Sequence, residues 1–114
     1  MRLAGIELYY DDINAAKRYY RDDLGLELTE EEVGHYAKFD LGGVFICVEH
    51  KGSETYPSAD KAVVFLQVED VAATINRIES PQVVQLGPDS ERGGPSWAVL
   101  HDPEGHNVLL LQTP

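Results

Sequence analysis

Leu8-Tyr9-Tyr10-Asp11-Asp12-Ile13-Asn14-Ala15 and Leu66-Gln67-Val68-Glu69-Asp70-Val71-Ala72-Ala73 decide the fold, because the second octet repeats the plan of the first at an offset of 58 residues (70 − 12). In each, a strand-like run ends at two acidic positions, and the second acid stands immediately before a segment of helix formers. An aspartate placed there is an N-cap: its carboxylate accepts backbone N–H groups that the first helical turn leaves without partners. A strand running straight into a capped helix, twice, predicts a duplicated βα unit.

Outward from the first octet, Leu3 to Tyr10 reads as a strand and Ile13 to Asp23 as a helix stopped at Gly25. Ile13, Ala16, Tyr20 and Leu24 recur at three- and four-residue steps, which puts them on one buried stripe and leaves Lys17, Arg18, Arg21 and Asp22 to water. Leu26 to Glu31, His35 to Asp40 and Val44 to Glu49 then read as strands, with a turn at Gly42-Gly43. Outward from the second octet the order is the same. Ala62 to Val68 is a strand and Val71 to Glu79 a helix with Val71, Ile75 and Ile78 inward; Gln82 to Leu86, Ser96 to His101 and Asn107 to Gln112 are strands. Asp40, Gly43 and Ile46 match Asp102, Gly105 and Val108 at an offset of 62 (105 − 43), so the second half carries a four-residue insertion. The expected architecture is α+β. One domain, residues 1–114, holds two tandem βαβββ modules, the first over 1–50 and the second over 62–114, joined by a turn-rich linker over 51–61.

A chain of 114 residues has room for one compact domain of this kind and little more. The residues from Met1 to Gly5 lack a basic segment followed by an apolar one, so no signal peptide is expected and the location reads as cytoplasmic. No apolar run approaches a membrane span. Twenty acidic against nine basic residues give a formal charge of −11, which repels phosphate backbones and argues against a nucleic-acid partner. Cys47 is the single cysteine, inside a strand-like run, so it reads as a buried and inert thiol.

Side chains alternate across a strand, so residue parity separates the two faces of the first and last strand of each module. Even positions (Ile6, Leu8, Tyr10, Val44, Ile46, Val48, Val64, Leu66, Val68, Val108 and Leu110) are almost wholly apolar and suit a core beneath the helices. Odd positions mix aromatic, hydrogen-bonding and apolar groups: Glu7, Tyr9, Phe45, Cys47, Glu49, Phe65, Gln67 and Asn107 among them. That mixture fits a ligand site, and equally the solvated side of an ordinary sheet.

The first octet, with Tyr19-Tyr20 and Asp23-Leu24-Gly25-Leu26, and the closing run His101-Asp102-Pro103-Glu104-Gly105-His106-Asn107-Val108 resemble the vicinal oxygen chelate superfamily, which includes glyoxalase I, bleomycin-resistance proteins and extradiol dioxygenases. The resemblance covers essentially the whole chain and implies a curved sheet forming a cup, with the helices on its outer face. It also implies four metal-ligand positions, which fall here on Gly5, Cys47, Val63 and Leu109. Three of those residues offer no side-chain lone pair and the fourth is an isolated thiol, so no metal and no other cofactor is expected. The four histidines, His35, His50, His101 and His106, show no metal-binding spacing.

The resemblance then points to the non-metal branch: a small-molecule-binding protein that sequesters a cationic or aromatic ligand, as bleomycin-resistance proteins do. Glu7, Tyr9, Phe45, Cys47, Glu49, Phe65, Gln67, Trp97 and Asn107 are the candidate ligand-binding residues. A second reading is a lyase, isomerase or dioxygenase-type enzyme using a displaced metal near Glu7 and Glu49, or Glu7 as a carboxylate base. A third is a non-catalytic interaction protein. Residues 87–95 are expected to flank the cup entrance, with Arg92 the natural partner for an anionic ligand. Exposed sheet edges favour a C2 homodimer.

Overall fold

A computed structural model describes residues 1–52 and 62–114; the linker expected over 51–61 therefore lies almost wholly outside the described residues. The element order is β1 (Arg2–Tyr10), α1 (Ile13–Arg18) continuing into a π-helical turn (Tyr19–Asp23), β2 (Glu27–Glu32), β3 (Tyr36–Asp40), β4 (Phe45–His50), β5 (Ala62–Val68), α2 (Val71–Asn76), β6 (Gln82–Leu86), β7 (Trp97–His101) and β8 (Asn107–Gln112). This is the α+β, twice-βαβββ order that the sequence predicts. The chain divides into two compact units, Ala4–Ala62 and Val63–Pro114, the latter joined by Met1–Leu3.

Within the first unit the strand order is β2-β3-β4-β1. β1 runs parallel to β4, and β3 is antiparallel to both β4 and β2. The second unit repeats this arrangement, with β5 parallel to β8 and β7 antiparallel to β8 and β6. Both aspartate caps form as expected: Asp12 Oδ1 accepts from the Ala15 N–H at 3.0 Å, and Asp70 Oδ1 from the Ala73 N–H at 2.9 Å. A parallel pair cannot be joined by a tight turn, and here the connection from β1 to β4 runs through α1, β2 and β3, and that from β5 to β8 through α2, β6 and β7.

Each unit has its own core between helix and sheet. In the first, Ile13 and Ala16 pack on Ala37, Phe39 and Val48, with Tyr10, Tyr20, Leu26, Leu28 and Ile46 around them. In the second, Val71 packs with Val68, Ala98, Leu100 and Leu110, flanked by Leu66, Ile75 and Val108. Tyr10, Ile46 and Val48 in the first unit, and Leu66, Val68, Val108 and Leu110 in the second, thus pack on the helix side, as parity requires, while Tyr9, Cys47, Val63, Asn107 and Leu109 at odd positions are buried as well.

Three expectations about burial are corrected. Leu24 is 52% exposed rather than on the buried stripe. The helix loosens at Tyr19, where the N–H of Leu24 bonds the carbonyl of Tyr19 five residues back; this wider turn rotates Leu24 off the stripe and lets Leu26 take its place. Ile78 is also exposed, because α2 ends at Asn76 and the chain continues in tight turns. Ile6 and Val64, both expected in the core, are exposed as well. In the second unit α2 spans six residues, about 9 Å, and a strand the length of β5 runs about 23 Å, so the helix covers only part of a strand's length. Among the described residues no helix is long and apolar enough to cross a membrane.

Phe39 is fully buried, against Tyr20 at a ring-centroid distance of 5.8 Å. Phe39→Ala is expected to lower unfolding free energy by about 3–5 kcal/mol, the usual cost of deleting a buried ring. Urea denaturation followed by circular dichroism checks it.

Candidate functional site

The sheet face away from the helix is set by pairing register, and in the first unit the register builds three cross-strand rows over β2, β3, β4 and β1. The first is Glu27, Asp40, Phe45, Gly5; the second is Glu30, Lys38, Cys47, Glu7; the third is Glu32, Tyr36, Glu49, Tyr9. A bulge between Leu28 and Glu30 inserts Thr29 into β2 and brings Glu30 level with Lys38. Six carboxylates and one ammonium share this face. Like charges directly across a ladder, such as Glu27 beside Asp40, oppose stability and make the face receptive to a cation.

The central row shows how the charges act on one another. Lys38 lays its Nζ 4.4 Å from the centroid of the Phe45 ring, a cation–π contact. Tyr9 donates its phenolic hydroxyl to Glu7 Oε1 at 2.5 Å, and Tyr36 donates to Glu30 Oε2 at 3.0 Å. Cys47, between Lys38 and Glu7, is buried, and its thiol is pushed up from about 9 to about 12. Burial is the main cause, the Glu7 and Glu49 carboxylates add to it, and Lys38 opposes it. At neutral pH Cys47 is held as the neutral thiol, which disfavours it as a nucleophile.

The second unit presents a different surface from the same plan. Its rows are Gln85, Val99, Leu109, Phe65; then Gln82, His101, Asn107; then Trp97, Leu111, Gln67. No carboxylate, lysine or arginine stands in them. The Trp97 indole lies against Gly87, where an added Cβ would come within 2.4 Å of the ring, so only glycine fits.

The nine residues singled out from the sequence thus separate into two sets. Glu7, Tyr9, Phe45, Cys47 and Glu49 share the face of the first unit, and Phe65, Gln67, Trp97 and Asn107 that of the second. Parity of the first and last strands does not reach Lys38, Tyr36 and Glu30, which stand on β2 and β3. Extending it to β3 from the Gly42-Gly43 turn brings in Lys38 and Tyr36, but the β2 bulge is invisible to parity. Arg92 does not present itself to an anion: its guanidinium donates to the backbone carbonyls of Thr113 and Glu69, both at 3.4 Å. The surrounding segment is tied down by Gln112, whose Nε2 donates to Ser90 Oγ at 2.9 Å.

The residues at the four inferred ligand positions do not fit a metal ion. A Cβ at Gly5 would sit 2.5 Å from the Phe45 ring, so the space a ligand side chain needs there is filled. Val63 and Leu109 are buried and have no donor atom, and Cys47 is then a single donor with no companion at the other three positions. Among the described residues, no three His, Cys, Asp or Glu side chains stand where they would hold an ion together.

Two aspartate-capped βαβββ modules in tandem define the class of fold. The family model of the Glyoxalase/Bleomycin resistance protein/Dioxygenase superfamily matches residues 2–110, and the chain belongs to that superfamily. It is similar in structure to a superfamily member from Vibrio splendidus 12B01, with 22% identity and a TM-score of 0.72 over 95% of this chain and 96% of that one. A hypothetical protein from Bacillus halodurans C-125 superposes with a TM-score of 0.73 at 18% identity, over 99% and 94% of the two chains. A variant methylmalonyl-CoA epimerase of Streptomyces coelicolor, in complex with 2-nitronate-propionyl-CoA, gives 0.68 at 18% identity over 100% and 99%. At such identities the likeness carries the fold alone. No curated protein matches the chain significantly in sequence.

The raised thiol of Cys47 predicts a pH dependence. A group whose proton is held more tightly in the folded state favours folding below its unfolded value of about 9, and that contribution is lost as pH rises through 9 toward about 12. Stability of the wild type should fall across this window more steeply than that of Cys47→Ala, as read by denaturant titrations at stepped pH. Labelling of native Cys47 by maleimide at pH 7 should be far slower than in the unfolded chain.

Proposed function

We propose that this chain is a small-molecule-binding protein that holds a cationic or aromatic ligand without a resident metal ion and without a chemical step. The observation that carries this reading is the face of the first unit, where six carboxylates and the rings of Tyr9, Tyr36 and Phe45 surround a single lysine. Carboxylates attract a cation over several ångströms, and ring faces hold it at contact distance. The contact of Lys38 with Phe45 already displays this recognition within the chain. On the second unit, Trp97 and Phe65 with the amide of Gln67 suit a planar, neutral group, whereas Asn107 is buried. At three of the four inferred metal positions, Gly5 against Phe45 and two aliphatic side chains offer no donor atom, which supports a reading without Lewis-acid chemistry. A C2 homodimer in the cytoplasm belongs to the same reading.

Thermal-shift measurements with quaternary ammonium and cationic aromatic compounds test the proposal, since a ligand that binds only the folded chain raises its melting temperature. Lys38→Met removes the built-in cation that competes for Phe45, and is expected to tighten binding of such probes by about threefold to tenfold. Absence of any shift across a broad panel, in both wild type and Lys38→Met, would sink the proposal.

A second reading is catalysis with Glu7 as base, favoured by the 2.5 Å hydrogen bond from Tyr9 that fixes one oxygen of the carboxylate and leaves the other to a substrate. If the chain turns over any substrate, Glu7→Gln should lower kcat by about a hundredfold or more while leaving the melting temperature near that of wild type. Unchanged turnover would remove Glu7 from the chemistry.

A further inference from the structure

The two modules fill the space between helix and sheet differently. In the first, three aromatic rings occupy it: Tyr20 packs on Phe39 with centroids 5.8 Å apart, and the hydroxyls of Tyr10 and Tyr20 lie 3.2 Å apart. The internal repeat gives each ring a counterpart in the second module. Val68 stands at the place of Tyr10 and Ile78 at that of Tyr20, while Leu100, paired with Val108 as Phe39 is with Ile46, stands at that of Phe39. Three rings are replaced by three aliphatic side chains. The helix is also shorter, for α2 stops at Asn76 with no π-helical turn after it, and Ile78 remains 41% exposed.

The missing volume remains as a groove. It measures about 390 Å³ and has an apolar floor of Leu66, Leu100, Val108 and Leu110 on the helix-bearing side of the sheet. That size lies within the range of small-molecule sites. Among the described residues, Arg77 and Asp102 are the fully charged side chains at its edge, which Met1 and His101 also line. Asp102 is committed to its own turn, accepting from the N–H groups of Glu104 at 3.0 Å and His106 at 2.9 Å, which hold its carboxyl below the usual range. Arg77 follows the last residue of α2, and among the described residues its guanidinium makes no hydrogen bond or ion pair. An apolar floor with one uncommitted guanidinium at its rim is matched by an apolar acid, because a carboxylate pairs with guanidinium through two parallel hydrogen bonds.

We propose that this groove of the second module binds an apolar molecule of one or two rings carrying a single carboxylate, its rings on the Leu66 to Leu110 floor and its carboxylate on Arg77. The groove lies on the helix-bearing side of the second unit's strands, whereas the residues considered for a cationic ligand belong to the first unit, and it stands independently of them.

The test is a titration of the full chain with 2-naphthoate and with its neutral amide, followed through the methyl signals of Leu66, Val108 and Leu110 by NMR. The acid should shift these methyls saturably and bind about tenfold more tightly than the amide, the worth of one charge-assisted pair. Arg77→Gln should abolish that preference. Ile78→Tyr restores the ring of the first module at a half-exposed position, and should abolish binding while the rest of the spectrum stays native. Should Ile78→Tyr fail to fold, the comparison of acid with amide in wild type and Arg77→Gln still decides. The proposal is overturned if millimolar naphthoate leaves these methyls unmoved, if acid and amide bind equally, if binding survives in folded Ile78→Tyr, or if the methyl signals depend on protein concentration because a second copy of the chain covers the groove.

Discussion

The parallel pairing of β1 with β4, and of β5 with β8, is the constraint on which the other features rest. Two parallel neighbours have no turn to set their register, so the register is held by what their side chains bury: Tyr10, Ile46 and Val48 beneath α1 in one unit, Leu66, Val68, Val108 and Leu110 beneath α2 in the other. A slip of one residue would turn every one of these apolar groups to the opposite face. The same register therefore decides the chemistry on the far side, where Glu7 must stand beside Cys47 and Tyr9 beside Glu49 whenever Ile46 and Val48 are buried. Core and candidate site are two readings of one alignment of strands.

Around that shared frame the two modules have diverged in opposite senses. The first has aromatic rings within its core and a strongly acidic face away from the helix; the second has aliphatic side chains within and, among the described residues, no lysine, arginine or carboxylate in the cross-strand rows of its corresponding face. Much of the excess acid in the composition is thus concentrated on one face of one module. A net charge of −11 describes the chain as a whole, yet the electrostatics that a ligand meets are local, set by the rows of β1 to β4. The same divergence leaves the groove under α2, since replacing rings by aliphatic chains removes volume that a fixed backbone cannot close.

The sequence by itself determined the order and kind of the elements, both helix starts, the duplication and the buried parity of the end strands, because each depends on neighbours near in the chain: an aspartate before a helix, an alternating run, a glycine turn. The misplaced residues are those governed by lengths and turns that local pattern does not record. Leu24 left its stripe because a π-helical turn changed the angular step, and Ile78 follows the end of α2, which stops at Asn76. Only the tertiary structure decided that Lys38 sits on Phe45, that a bulge brings Glu30 level with it, that Arg92 caps backbone carbonyls, and that Gly5 is filled by the ring of Phe45. Each of these joins residues from different strands or loops, and such contacts follow from register and packing, which exist only once the strands are side by side.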